Sequence, residues 1–141
     1  MKQEISAIQQ WPVTGTSRGL HLLGEWFRCQ GRPELFDNAA ELCDVCLAAA
    51  RKAGLTVVDE LFHQFALSGV TVTLVLVDSH LVINTRPDDR SATLDLFIID
   101  RAPGDRLKVH ALYAALKDCL SPEKENYVQI NQGGHVDVTL N

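Results

Sequence analysis

Gly69 to Thr85 reads GVTVTLVLVDSHLVINT. Two β-branched, almost wholly apolar runs flank one polar triplet, Asp78-Ser79-His80. The first run, Val70 to Asp78, predicts a strand buried on both faces or nearly so. The second, Leu81 to Thr85, predicts another strand. On residue types alone the triplet is a tight turn between antiparallel neighbours. Working outward, Leu55 to Phe65 is a strand closed by Ser68-Gly69. Arg86-Pro87-Asp88-Asp89 is a turn, and Ala92 to Asp100 is a strand. Gly19 to Cys29 alternates as a strand, with Leu20, Leu22 and Trp26 on one parity. Pro33-Glu34 opens a helix that runs to about Ala53, with Leu35, Ala39, Leu42, Cys43, Cys46, Leu47 and Ala50 at helical spacing and Gly54 as its stop. Pro103-Gly104-Asp105 leads into a second helix, Arg106 to Leu120, striped by Leu107, Val109 or His110, Leu112 and Leu116. Tyr127 to Ile130 and Val136 to Leu140 form a hairpin around Gly133-Gly134. The order β-α-β-β-β-β-α-β-β predicts an α+β fold, a two-layer α/β sandwich. In it a mainly antiparallel sheet is covered on one face by two helices. Residues 17–141 make this single domain, behind a polar lead-in at 1–16.

The 141 residues are enough to bury a core without staples. Lys plus Arg is 13 against 18 Asp plus Glu, a formal charge of -5. That balance argues against a nucleic acid or an anionic membrane as the partner. No apolar run is long enough to span a bilayer, and the start of the chain, with Trp11 and Pro12, has no secretory h-region. The expected location is the cytoplasm, where Cys29, Cys43, Cys46 and Cys119 stay reduced. Cys43-x-x-Cys46 has the spacing of a redox or zinc motif. It lies inside a helical pattern with no second ligand pair, so it reads as buried helix cysteines and no metal is expected.

The order and spacing of several short motifs carry more. Gly69-Val70-Thr71, Asp78-Ser79-His80, Asn84-Thr85 with Pro87-Asp88, and Asp95-Leu96-Phe97 together resemble the prokaryotic S-adenosylmethionine decarboxylase family, whose members show G-V-S, E-S-H, I-H-T-W-P-E and D-x-F-x-C-G. Gly19-x-His21, Glu25-x-Phe27 and Phe62-His63-x-Phe65 resemble it too. The similarity runs from about Gly19 to Asp100. It implies that Ser79 makes its own cofactor: the hydroxyl attacks the Asp78 carbonyl to give an ester, β-elimination cuts the chain, and a pyruvoyl group is left at residue 79. That group forms a Schiff base with the substrate amine and acts as an electron sink for decarboxylation. Such a serine needs a strained site and an oxyanion stabiliser. Thr71 stands where a family serine assists the cleavage.

The departures from the family pattern shape the functional readings. Asn84 replaces a histidine assigned to proton transfer, and it cannot titrate near neutrality. Ile99 replaces the cysteine that donates a proton to the decarboxylated carbon. Arg86 replaces a tryptophan, and Asp88 a glutamate that helps hold the substrate. His80 is the nearest titratable substitute, with His21 and His63 the others. On the first reading the protein decarboxylates S-adenosylmethionine for polyamine synthesis. Ser79, Asp78, Thr71, His80 and Asn84 are then its catalytic residues. Phe65 or Phe62 is the ring to stack on adenine, and Asp88 the group to hold a ribose hydroxyl or a cation. A second reading keeps the pyruvoyl and takes arginine or ornithine, with carboxylates around its side chain and Arg86 on its carboxylate. Against this, Arg86-Pro-Asp-Asp-Arg90 also reads as a solvated charged turn. A third is an unprocessed binding or regulatory homologue. A hydrolase built on Ser79 is disfavoured because no nucleophile elbow surrounds it. The family resemblance implies a homodimer of processed protomers.

Overall fold

The computed structural model describes residues 18–132 and 137–140. The lead-in at 1–16 and the Gly133-Gly134 turn lie outside them. Strict alternation in β1 (Arg18–Phe27) turns Leu20, Leu22 and Trp26 into the core, each 0% exposed, and leaves His21, Leu23 and Glu25 on the other side. The same parity runs through β3 (Gly69–Leu76), β4 (Ser79–Arg86) and β5 (Ser91–Asp100), whose inward rows include Val72 and Leu74, Leu81 and Ile83, and Leu94 and Leu96. With β2 (Val57–Phe65), β6 (Lys124–Gln132) and β7 (Asp137–Leu140) they form a sheet of order β2-β3-β4-β5-β1-β6-β7. All its strand pairs are antiparallel. Helices α1 (Glu34–Asp37), α2 (Ala39–Lys52) and α3 (Asp105–Leu120) cover one face. The α+β two-layer sandwich expected from the element order is therefore what forms. Among the described residues, no helix is long and apolar enough to cross a membrane.

Three details differ from the sequence reading. First, β3 is buried on one face only. Thr71 and Thr73 are half-buried and Val75 is 45% exposed, because among the described residues no second layer covers their side of the sheet. Second, the helix expected from Pro33 to Ala53 is broken at Asn38, which takes an extended conformation and caps α2 by accepting from the Glu41 N–H at 3.1 Å. Gln64 of β2 bridges the break, donating to the Asp37 carbonyl at 2.6 Å and accepting from the Ala39 N–H at 2.8 Å. Third, Leu107 faces solvent, and the buried stripe of α3 is Val109, Leu112, Tyr113, Leu116 and Leu120.

Beneath α3 the core holds a polar knot. The Trp26 indole N–H donates to Glu125 at 3.0 Å, the Tyr113 hydroxyl donates to the same oxygen at 2.5 Å, and Lys117 reaches the other oxygen at 2.8 Å. Burial alone would raise the Glu125 pKa. The hydrogen bonds from Lys117, Tyr113 and Trp26 outweigh it and hold the carboxyl below its ordinary value. Burial and the hydrogen bond to Glu125 push the Tyr113 hydroxyl the other way, upward.

Two predictions follow from this packing. Leu96, fully buried in the middle of the sheet, should cost about 2–5 kcal/mol on replacement by alanine, read from urea unfolding. Glu125 has a folded pKa below its ordinary 4.5, so its stabilisation is fully present above that pH and is lost as pH falls through the folded value. Glu125→Gln should therefore be less stable than wild type at pH 7, and the gap should narrow in unfolding measurements below pH 4.

Candidate active site

Strands β3 and β4 are joined by a two-residue turn, and its second residue, Asp78, has φ 55. This left-handed conformation is disfavoured for residues with a side chain and is best tolerated by Asp and Asn. The chain is held there from both sides. The Val77 N–H donates to the Thr56 carbonyl at 3.1 Å, and the Asp78 carbonyl accepts from the Ile99 N–H at 2.8 Å. Ser79 begins β4 opposite Ile98 of β5, is 8% exposed, and donates its hydroxyl to the Val77 carbonyl at 3.0 Å. Ser79 thus lies at a strained peptide whose preceding carbonyl is polarised by a backbone donor. An N–H aimed at that oxygen stabilises negative charge developing on it if the hydroxyl adds to the carbonyl carbon. Ile99, which has no side-chain proton to give, supplies this donor from its main chain.

Thr71 and Asn84 face each other across β3 and β4, and the Thr71 hydroxyl donates to the Asn84 side-chain oxygen at 2.5 Å. Asn84 is five positions along β4 from Ser79, about 17 Å at extended rise. It also points to the opposite face of the sheet, so the expected catalytic set does not converge within one chain. Thr71 and Asn84 instead join Phe65 and Arg86, with Ser91 and Thr93, around a cavity of about 240 Å³ on the side without helices. Phe65, rather than Phe62, is the aromatic wall, and it contacts His63 edge-on at 4.5 Å. Gly69 opens β3 beside this cavity at φ 99, where a Cβ would collide with the Thr85 carbonyl. Asp88 is exposed in the turn after β4 and does not line the cavity. The carboxylate beside Arg86 is that of Asp89. Ser91 accepts from the Arg86 Nε at 3.1 Å and donates to Asp89 at 2.6 Å, a bond that holds the Asp89 carboxyl below its ordinary range.

A further cluster lies on the open face next to Ser79. His21 of β1 is bonded to Asp95 of β5 at 2.6 Å. His80 approaches the same oxygen at 3.5 Å and stacks on Phe97 with centroids 5.6 Å apart. The sequence offered each of these residues separately. Their meeting depends on β1 inserting beside β5, a non-local pairing that no short motif encodes.

Comparisons with known proteins identify the family. The family model for S-adenosylmethionine decarboxylase matches residues 20–133. The chain belongs to that family. An S-adenosylmethionine decarboxylase proenzyme of Thermosipho africanus is 30% identical over 124 residues, 88% of this chain and 91% of the relative. One of Aeropyrum pernix is 32% identical over 106 residues, 75% of this chain and 77% of the relative. The crystal structure of the adenosylmethionine decarboxylase of Aquifex aeolicus shares the fold, with a TM-score of 0.73 and 22% identity over 84% of this chain and 93% of that one.

Packing explains Cys43-x-x-Cys46. Both thiols are buried in α2. Burial, with the hydrogen bond to Glu60, pushes Cys43 up to about 11, and burial raises Cys46 further. Burial also takes Cys29 to about 11, while Cys119 is exposed. With a thiol reagent at pH 8, Cys119 should react promptly in the native protein, and the other three only after denaturation. Fast labelling of Cys43 or Cys46 would contradict this placement.

Proposed function

We propose that the chain is a proenzyme that cuts itself between Asp78 and Ser79 and then acts as a pyruvoyl-dependent decarboxylase of S-adenosylmethionine. The observation that carries this reading is the held peptide at Asp78, with its left-handed φ and its carbonyl on the Ile99 N–H beside a buried serine. These residues fit the group that the family implies. The Ser79 hydroxyl adds to the Asp78 carbonyl carbon, its proton passes to the Ser79 nitrogen, and the C–N bond breaks to give an ester. Loss of the Ser79 Cα proton expels the Asp78 carboxylate and leaves dehydroalanine. Water then adds and ammonia leaves, so residue 79 ends as a pyruvoyl group. Once formed, that group supplies the carbonyl electron sink for decarboxylation.

The remaining roles fall to the open face. His80, held between Phe97 and Asp95, is the proton carrier nearest residue 79 and takes the place of the thiol absent at Ile99. Thr71 and Asn84 orient by hydrogen bonding rather than by titration, and Phe65 is the surface for an adenine ring. Thr71 and Asn84 lie far from Ser79 in one chain and on the other face of the sheet, so they act on a ligand in the cavity they line and not on the Ser79 hydroxyl. The processed protomers pair as a homodimer. Arg86 in the cavity wall favours a second substrate class, a basic amino acid whose carboxylate it would hold.

Release of labelled carbon dioxide from S-adenosylmethionine, arginine and ornithine separates these substrates. The expected result is release from S-adenosylmethionine, abolished by Ser79→Ala. His80→Gln should lower kcat by about 10²–10⁴, the usual range for a lost general acid. Release only from arginine or ornithine would move the assignment to the second class. No release from any of them by cleaved protein would refute both.

A further inference from the structure

A carboxylate and a guanidinium meet beside the Asp78–Ser79 peptide in a contact that no catalytic role has yet absorbed. Arg101, just past the end of β5, donates its Nε to the Asp78 carboxylate at 2.9 Å. Two residues before it, the Ile99 N–H holds the Asp78 main-chain carbonyl at 2.8 Å. The segment 99–101 therefore grips Asp78 twice, at its backbone and at its side chain. Arg101 is itself fixed. Asp105, at the start of α3, accepts from the Arg101 and Ala102 N–H groups at 3.1 and 2.9 Å, which pins the loop between β5 and α3. Lys108, which shares a shallow cavity with Asp78, leans toward Asp105 at 4.0 Å. Arg101 is thus the cation paired with Asp78.

We propose that Arg101 is a positioning residue for the self-cleavage, holding Asp78 in its left-handed conformation so that its carbonyl stays on the Ile99 N–H while the Ser79 hydroxyl adds. The inference rests on the proposed cleavage at this bond. The covalent step it assists is the first one, in which the Asp78 carbonyl carbon passes from the Ser79 nitrogen to the Ser79 oxygen and the hydroxyl proton moves to the freed amine. Arg101 makes and breaks no bond. Its side chain is 58% exposed and that of Asp78 38%, so the pair contributes little to global stability. A slower cleavage in its absence therefore reports on the geometry of one peptide and not on unfolding.

The test follows the appearance of the two fragments by intact mass spectrometry in wild type, Arg101→Ala, Arg101→Lys, Asp78→Asn and the double variant Arg101→Ala/Asp78→Asn. Arg101→Ala should slow cleavage about two- to fivefold, the effect of losing one exposed ion pair on the held residue, with a Tm within about 2 °C of wild type. Arg101→Lys should recover part of the rate. Asp78→Asn should slow cleavage to a similar degree, and the double variant should be no slower than either single one. Hydroxylamine, which cuts the chain at the ester, should not restore the rate in Arg101→Ala, because the block precedes the ester. Wild-type kinetics in Arg101→Ala overturn the inference alone. So does a slowing that tracks a collapsed Tm, or full rescue by hydroxylamine. A wild-type chain that never cleaves overturns both the inference and the proposed function.

Discussion

The hydrogen bond from the Ile99 N–H to the Asp78 carbonyl depends on the register between β4 and β5. That register sets Ser79 opposite Ile98 and extends the ladder one step beyond the strand, onto the peptide that precedes the serine. A slip by one residue would turn Leu81 and Ile83 out of the core, so burial of the apolar row enforces the alignment. The core and the site are in this sense one constraint. The helix-covered face supplies the energy that holds the register, and the register places the donor.

The sheet is used asymmetrically. Its covered face is closed by α1, α2 and α3 and is apolar except where partners are provided, as at Glu125 and at Thr85, whose hydroxyl donates to the Phe36 carbonyl at 2.8 Å. Its other face carries His21, His80, Asp95, Thr71 and Asn84 among half-exposed Leu23, Val82 and Phe97. Polar, titratable groups set among apolar ones on a sheet are costly in a sealed core and suit a face that a ligand or a second copy covers.

Much of this was legible in the sequence. The alternation of β1, the β-branched runs at Val70 and Leu81, and the helical stripe ending before Gly54 led to the element order and the layer architecture. The triplet Asp78-Ser79-His80, set between those runs, marked the site. Other features depended on contacts between distant segments. Asn38 divides a stripe that looked continuous, because its side chain caps one helix while Gln64 ties down the end of another. β3 looked buried on both faces because its apolar run continues through Val75 and Val77, which the fold leaves exposed. The sequence motifs grouped Thr71 and Asn84 with Ser79, but strand geometry separates them. The main-chain donor at Ile99 is invisible to residue type, since any residue there except proline would supply it.

The central claim is that the held peptide at Asp78 breaks to make a cofactor from Ser79. Intact mass spectrometry of freshly purified protein, with Ser79→Ala as the control, tests it most directly. Two fragments meeting at Asp78–Ser79 are expected, the second with a blocked amino terminus, while the Ser79→Ala chain stays whole. A wild-type chain that remains a single species after long incubation would contradict the account and leave this family member as an unprocessed homologue.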